Sequence, residues 1–445
     1  MIHLKFFVVL ASFSNSGLLA DLSVVIQLWM KETTLDFRYS SVIYDVIPIA
    51  FAVLGLAFVF ALYIIHLIAL SYGWSKLHRP NSEYHHHLMK QKGTNGKTYD
   101  LPGVTIIKPL VGIDANLETN LTSFFNLDYP KYEIFFCVHR REDEAVGVAK
   151  KLMLLYPDVS ARIFYGGENV GLNPKINNMM PAYRASQYPF ILISDSGILM
   201  RTDALKDMVE TMLSGERNAI VTQTPYCLDR PGFANTVEQI YFGTSHGRIY
   251  LAGNCLGFVC STGMSSLLRK KALDECGGIR AFGDYLAEDF FFGLILSRRN
   301  WHAAISSYPA LQNTADLTLS KFHNRICRWM KLRIAMLPHI IFVEPIQDCF
   351  PSGIIFALVS SFLFGANPLK VFLFHCIFWL VCDYNLLLRM QNGFLKFSFN
   401  EFLVGWFLRE ILSPLNFFRA LLNPDIEWRH GRFRLHWGGR IKSHR

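Results

Sequence analysis

From Val46 to Leu70 the chain runs for 25 residues without an Asp, Glu, Lys or Arg. A helix of that length crosses the roughly 30 Å of hydrocarbon in a bilayer. Its only markedly polar side chains are Tyr63 and His66. A soluble core seldom accommodates a helix that is apolar on every side, so whatever follows must fold beside a membrane. Glu32, Asp36, Arg38 and Asp45 precede the run, and Lys76, His78, Arg79, Lys90, Lys92 and Lys97 follow it. Positive charge gathers on the cytosolic side of membrane helices, so this asymmetry predicts a cytosolic domain after the helix.

Composition supports a folded domain joined to a membrane. Hydrophobic residues make up 51% of the 445, 37 of them Phe, and charged residues only 18%. The net charge of +9 would suit nucleic acid, but the basic residues cluster beside apolar segments and at the C-terminus. That placement predicts contact with an anionic leaflet and no nucleic-acid partner. The nine Cys (137, 227, 255, 260, 276, 327, 349, 376, 382) form no Cys-x-x-Cys pair and no zinc spacing. They read as reduced packing residues.

The chain divides into an N-terminal extension (1–45), a membrane helix (46–70), a basic juxtamembrane linker (71–100), an α/β domain (101–337), membrane-associated segments (338–427) and a basic tail (428–445). Leu18-Leu19-Ala20 would serve as a signal-peptide cleavage site, and an optional extension is the preferred reading. His85-His86-His87 lies in the linker with no other metal ligand nearby. Strands are expected at Val104–Pro109, Tyr132–Val138, Arg162–Tyr165, Phe190–Ser194 and Ala219–Gln223. Helices are expected at Leu117–Phe125, Ala145–Tyr156, Ile176–Ala185 and Ala204–Leu213. This alternation predicts a doubly wound, mostly parallel sheet. No Gly-x-Gly-x-x-Gly or Walker loop follows the first strand, which argues against a dinucleotide or P-loop site. Cys349–Gly365, Val371–Cys382 and Phe402–Leu422 are imperfect membrane candidates. Three full crossings would put the tail opposite the domain, whereas its Arg429, Arg432, Arg434, Arg440, Lys442 and Arg445 favour the cytosol.

Three acids stand at predicted element ends. Asp195 follows the apolar strand Phe190–Ser194, where α/β sheets bind ligands, and reads either as a cation ligand or as the start of an Asp-Ser-Gly turn. Asp143 follows the second strand. Asp289 precedes an apolar helix expected at Phe290–Leu296. Downstream, Arg325 and Arg328 lie three apart, on one helix face, and suit a diphosphate, with Trp329 as a pocket floor. Singly, each also reads as a solvated loop, turn or helix-end acid, or as a basic helix face.

In that order, Asp143, Asp195, Asp289 and Arg325-Ile326-Cys327-Arg328-Trp329 match the D, D, D, (Q/R)xxRW signature of membrane glycosyltransferases with the GT-A fold. The chain resembles the ceramide glucosyltransferase family most closely, through Leu101–Val104, Phe124–Glu133, Asn173–Asn178, Thr244–His246, Ser261–Ser265 and Trp329–Ile334. The extension before Val46, and Arg140-Arg141 ahead of Asp143, depart from it.

The resemblance implies a multi-pass Golgi membrane enzyme with its catalytic domain in the cytosol. It would transfer glucose from UDP-glucose to the primary hydroxyl of ceramide with inversion. Asp289 would be the general base. Asp195 would hold Mg2+ or Mn2+ against the diphosphate. Asp143 would accept from the uridine, Lys175 would sit near the phosphates, and Arg325 and Arg328 would stabilise departing UDP beside Trp329. His246 corresponds to a family histidine near the donor, and Cys260 to a cysteine near the pocket with no catalytic part. The competing readings are a processive polysaccharide synthase, another lipid-acceptor transferase, and a non-catalytic membrane scaffold of the same fold. Nothing in the sequence sets an oligomeric state.

Overall fold

The computed structural model describes residues 37–79 and 101–443, apart from 259, 316, 429 and 430. The expected extension before residue 37, most of the basic linker with His85-His86-His87, and Arg429 and Arg445 lie outside the described residues.

The apolar run lies inside a longer helix, α1 (Phe37–Lys76). The α/β region opens with β1 (Val104–Leu110), α2 (Leu117–Phe125), β2 (Tyr132–Val138), α3 (Ala145–Leu155), β3 (Ser160–Tyr165), α4 (Pro174–Ala185) and β4 (Phe190–Ser194). It continues through β5 (Ile198–Leu199), α5 (Ala204–Leu213), β6 (Asn218–Thr222), β7 (Pro225–Cys227), α6 (Phe233–Tyr241), a π-helical turn (Phe242–His246) and α7 (Gly247–Cys255). Then come β8 (Ser265–Arg269), α8 (Lys270–Asp274), α9 (Glu288–Arg298), β9 (His302–Ile305), β10 (Ala310–Gln312) and α10 (Leu319–Met336). Three further helices, α11 (Cys349–Phe364), α12 (Pro368–Gln391) and α13 (Phe399–Leu422), lead to β11 (Asp425–Trp428), β12 (Gly431–Leu435) and β13 (Ile441–Ser443).

The main sheet has the order β3-β2-β1-β4-β8-β6-β9. Period-two alternation divides its side chains between two cores. Ile107, Ile191 and Ile193 pack with α4 and α9, and Ile106, Phe136 and Leu192 pack with α2, α3 and α5. The second core also contains Val59, Tyr63, Trp379 and Leu386, so the membrane helices and the sheet's helical layer share one apolar interior.

The sheet is mostly parallel, as expected, and two details beyond that expectation shape the site. β8, which the sequence reading did not anticipate, is antiparallel to β4 and β6. The excursion through α6 and α7 leaves the chain at the carboxyl edge of β4, so the next strand must run away from that edge. The helix expected from Phe290 begins two residues earlier, which places Asp289 inside the first turn of α9 rather than before it.

α1 and α12 are long and apolar enough to cross a membrane, and α11 is a shorter apolar helix. α11 and α12 form a tight hairpin. Gly365 ends α11 in the left-handed conformation, and Asn367 caps α12 ahead of Pro368. α13 differs in character. Val404, Phe407, Ile411, Leu415, Phe418 and Leu422 are exposed at helical spacing, while Trp406, Arg409 and Asn416 face inward. It packs along α6 and α10. The chain expected as a basic tail from residue 428 folds as a three-stranded sheet, β11-β12-β13.

Candidate active site

Asn173 organises the first part of the site. Its side chain accepts from the backbone N–H groups of Lys175 and Ile176, and Pro174 pre-sets the first turn of α4. Its amide nitrogen donates to Tyr285 O and to Glu288 Oε2. One capping residue therefore ties α4 to the start of α9. Gly171 and Gly283 allow the approach: a Cβ at Gly171 would stand 2.4 Å from the Gly283 carbonyl carbon.

Lys175 extends from that cap into a ring of oxygens. Its Nζ lies 2.9 Å from Asp195 Oδ1, 3.0 Å from Glu288 Oε1 and 3.2 Å from Gly263 O. Burial would lower its pKa, but Asp195 and Glu288 outweigh burial and hold the ammonium charged. Asp195 itself sits at the end of β4, its side chain 44% exposed. The antiparallel β8 reaches it directly, because Asp195 N donates to Met264 O. Lys108, wholly buried in β1, donates from Nζ to the Asp195 carbonyl at 2.7 Å and lies 3.7 Å over the Phe124 ring.

Asp289 stands beside this cluster. Oδ2 accepts from Gly263 N at 2.5 Å, and Oδ1 accepts from Phe290 N at 2.8 Å. Ser261 Oγ donates to its carbonyl oxygen. Burial, then the adjacent Glu288, push the carboxyl up to about 6, against the pull of Lys175 and the two N–H groups. A carboxylate tuned into this range is ionised at neutral pH yet basic enough to take a proton.

The remaining expected residues fall in three places. Asp143 joins the ends of β1 and β2, its oxygens accepting from Gly112 N at 3.0 and 3.1 Å and from Ala145 N at 3.0 Å. It stands on the same sheet edge as Asp195, two strands away, without touching the lysine cluster. His246 ends the π-helical turn inside an aromatic box. It stacks on Tyr250 at 4.5 Å and lies 5.0 Å from Phe242 and 5.9 Å from Trp329. Burial, with Arg333 and Arg325 nearby, pushes the imidazole down to about 3, so it is neutral. Tyr250 connects this box to the acid cluster by donating to Ser261 O at 2.9 Å.

Arg325 and Arg328 share a helix face as expected but differ in their partners. Arg325 forms an ion pair with fully buried Glu238, which also binds Arg230, and lies 5.3 Å over the Trp329 ring. Arg328 has no acidic partner among the described residues. The Cys260 thiol is pushed up to about 11 by burial, which keeps it protonated and inert.

Sequence reasoning missed three contributors. Lys108 was visible as a lone charge within an apolar strand. Glu288 was hidden beside the more conspicuous Asp289. Tyr250 gave no signal, because its part depends on the packing of α7 against the Ser261–Met264 loop.

The carboxyl edge of the sheet carries an acid-rimmed lysine with a tuned carboxylate beside it, and the family to which the chain belongs makes it a glycosyltransferase. The chain belongs to glycosyl transferase family 21, whose profile matches residues 61–441. Ceramide glucosyltransferase 3 of Caenorhabditis elegans is 57% identical over 390 residues, covering 88% of this chain and 82% of its own. Ceramide glucosyltransferase 1 of the same organism is 51% identical over 394 residues, covering 88% and 81%. The ceramide glucosyltransferase of Komagataella phaffii is 27% identical over 435 residues, covering 78% and 85%.

Proposed function

We propose that this enzyme transfers glucose from UDP-glucose to the primary hydroxyl of ceramide, with inversion, giving β-glucosylceramide. The carrying observation is Asp289, held by Gly263 N and Phe290 N and pushed up to about 6 beside the Lys175 cluster. The names of the relatives supply glucose and ceramide.

In a single displacement the acceptor oxygen attacks the anomeric carbon while the bond to the diphosphate oxygen breaks. Asp289 takes the hydroxyl proton. Lys175 places a fixed ammonium where the diphosphate charge develops, in a site that needs no reorganisation. Arg325 and Arg328 add positive charge near the leaving UDP. Asp143 accepts from the uracil N–H, and neutral His246 with Trp329 forms an apolar wall of the donor site.

Asp195 fits a divalent cation, Mg2+ or Mn2+. It offers a half-exposed carboxylate with one oxygen on Lys175, and such ions take one or two carboxylates and complete their shells with phosphate oxygens and water. Among the described residues no group of three His, Cys, Asp or Glu side chains is poised to hold a metal alone. When bound, the cation neutralises diphosphate charge.

The enzyme would work in Golgi membranes with its catalytic domain in the cytosol and ceramide arriving laterally in the leaflet. Membranes containing the protein, given labelled UDP-glucose and ceramide, are expected to yield a lipid carrying one hexose. A long glycan, or no transfer to ceramide, overturns the reading.

A further inference from the structure

A pocket lined by residues of α6, the π-helical turn, α7, α10 and α13 lies beside the aromatic box. Its lining includes apolar Val237, Ile249, Ile326, Met330 and Leu412 and polar Arg333, Glu344, Asp348, Arg409 and Asn416. Its mixed lining is that of a small-molecule site with a few placed polar groups.

Arg409 is the informative residue. It is 7% exposed, and its Nη2 donates to Asp383 Oδ2 at 2.9 Å and to Glu410 Oε1. Its Nε and Nη1 have no hydrogen-bond partner, although Arg409 lines the cavity. Two buried guanidinium donors left unpaired are costly, and a ligand acceptor would relieve them. The other charges balance. Arg333 is paired with Glu344 at 2.6 Å, and Asp348 accepts from Ser413, so the lining carries two cations and two anions. An anionic headgroup would find no net positive charge here. A neutral head with a carbonyl acceptor and hydroxyl donors would satisfy both the unpaired Nε and Nη1 of Arg409 and the carboxylates.

Phe342 and Val343, next in sequence to Glu344, are exposed, as is the apolar stripe of α13 that alternates with Leu412 and Asn416. Tyr241, Ser245 and Ile249 of the lining belong to the same helical layer as His246 and Tyr250. Tyr250 in turn hydrogen-bonds Ser261, which donates to Asp289.

We infer that this cavity seats the amide-and-hydroxyl head of the lipid acceptor, with Arg409 donating to the amide carbonyl and Glu344 or Asp348 accepting from the secondary hydroxyl. The inference rests on the glucosyl-transfer reading above. The test is steady-state kinetics with UDP-glucose and a short-chain ceramide on Leu412→Trp and Ile249→Trp, which add bulk to the lining from two different helices. The expected result is a rise of about tenfold or more in the acceptor KM, with the UDP-glucose KM within about twofold of the parent. A ceramide carrying a diazirine near its amide is expected to label the Ile326–Met330 or Leu412–Asn416 segments of the unaltered protein. An unchanged acceptor KM in both variants, or labelling confined elsewhere, overturns the cavity assignment. Failure of the parent protein to glucosylate ceramide overturns the underlying reading instead.

Discussion

At the scale of single residues, Asp289 carries the most chemistry. Asparagine keeps its shape and can still meet Gly263 N, but it takes no proton. Asp289→Asn is expected to lower kcat by about 10²–10⁴-fold, the usual share of a positioned base, while UDP-glucose binding persists. Single-turnover assays beside equilibrium donor binding check this, and turnover above a few per cent of the parent would remove the base assignment. The pH profile gives a second reading. A base works only when ionised, so with the carboxyl pushed up to about 6, kcat/KM should be full at neutral pH and fall as pH drops through about 6. Glu288 is one cause of the upward push, so removing its charge should lower the Asp289 pKa. Glu288→Gln is therefore expected to move the acidic limb to lower pH, and a limb that moves up or stays fixed would show that another group sets it.

At the scale of elements, the site depends on close backbone approaches. The loop before α4 and the loop before α9 meet at Gly171 and Gly283, and Asn173 N donates to Gly283 O at 2.6 Å. Gly171→Ala would drive a methyl into the Gly283 backbone and push apart the elements that carry Lys175 and Asp289. The expected outcome is a loss of roughly 1–3 kcal/mol in stability, typical of overpacking, with a larger fall in activity than in expression. Thermal unfolding and turnover of the purified variant measure the two. Such a contact was not legible in the sequence, because it joins residues 112 positions apart. The strands and helices from Val104 to Leu213 were legible, since buried strands and amphipathic helices leave local periodic patterns. The direction of β8 was not: Ser265–Arg269 has no pattern that distinguishes parallel from antiparallel pairing. Asp195 and Asp289 were legible as acids at element ends, whereas their shared dependence on Lys175 and Gly263 required the fold. The role of α13 was also concealed. Arg409, Glu410 and Arg419 looked like flaws in a membrane span, and only the packing against α6 and α10 shows that the charges face inward or flank the apolar stripe.

At the scale of the whole molecule, one buried acid links the membrane helices to the catalytic layer. Asp383 of α12 meets His66 of α1 at 3.0 Å, Trp406 at 2.8 Å and Arg409 at 2.9 Å on α13, and Arg248 of α7 at 3.6 Å. Asp383→Asn would leave two arginines partly uncompensated and is expected to cost about 3–5 kcal/mol, read as a lower unfolding temperature in detergent. The same arrangement predicts where the C-terminus lies. The terminal sheet docks on the catalytic domain, with Gly438 N donating to Ala335 O at 2.9 Å and Ile441 N to Asp284 O at 3.1 Å. Ile426, Phe433 and Ile441 pack with Leu286 and Ala335. Those contacts require both ends of the segment from Cys349 to Leu422 to return to one side of the bilayer. The α11–α12 hairpin would satisfy this by crossing and coming back, with α13, apolar along one exposed stripe, expected to lie in the interface rather than through it. A third crossing would carry β11 away from Ala335. Lys151 of α3 and Lys442 of β13 are both exposed and sit on opposite sides of all three helices in sequence. Cysteines placed at these two positions, in a background lacking the exposed Cys255, should react together with an impermeant maleimide in sealed vesicles of one orientation. Labelling of one without the other would require α13 to span the membrane and the terminal sheet to leave the catalytic domain.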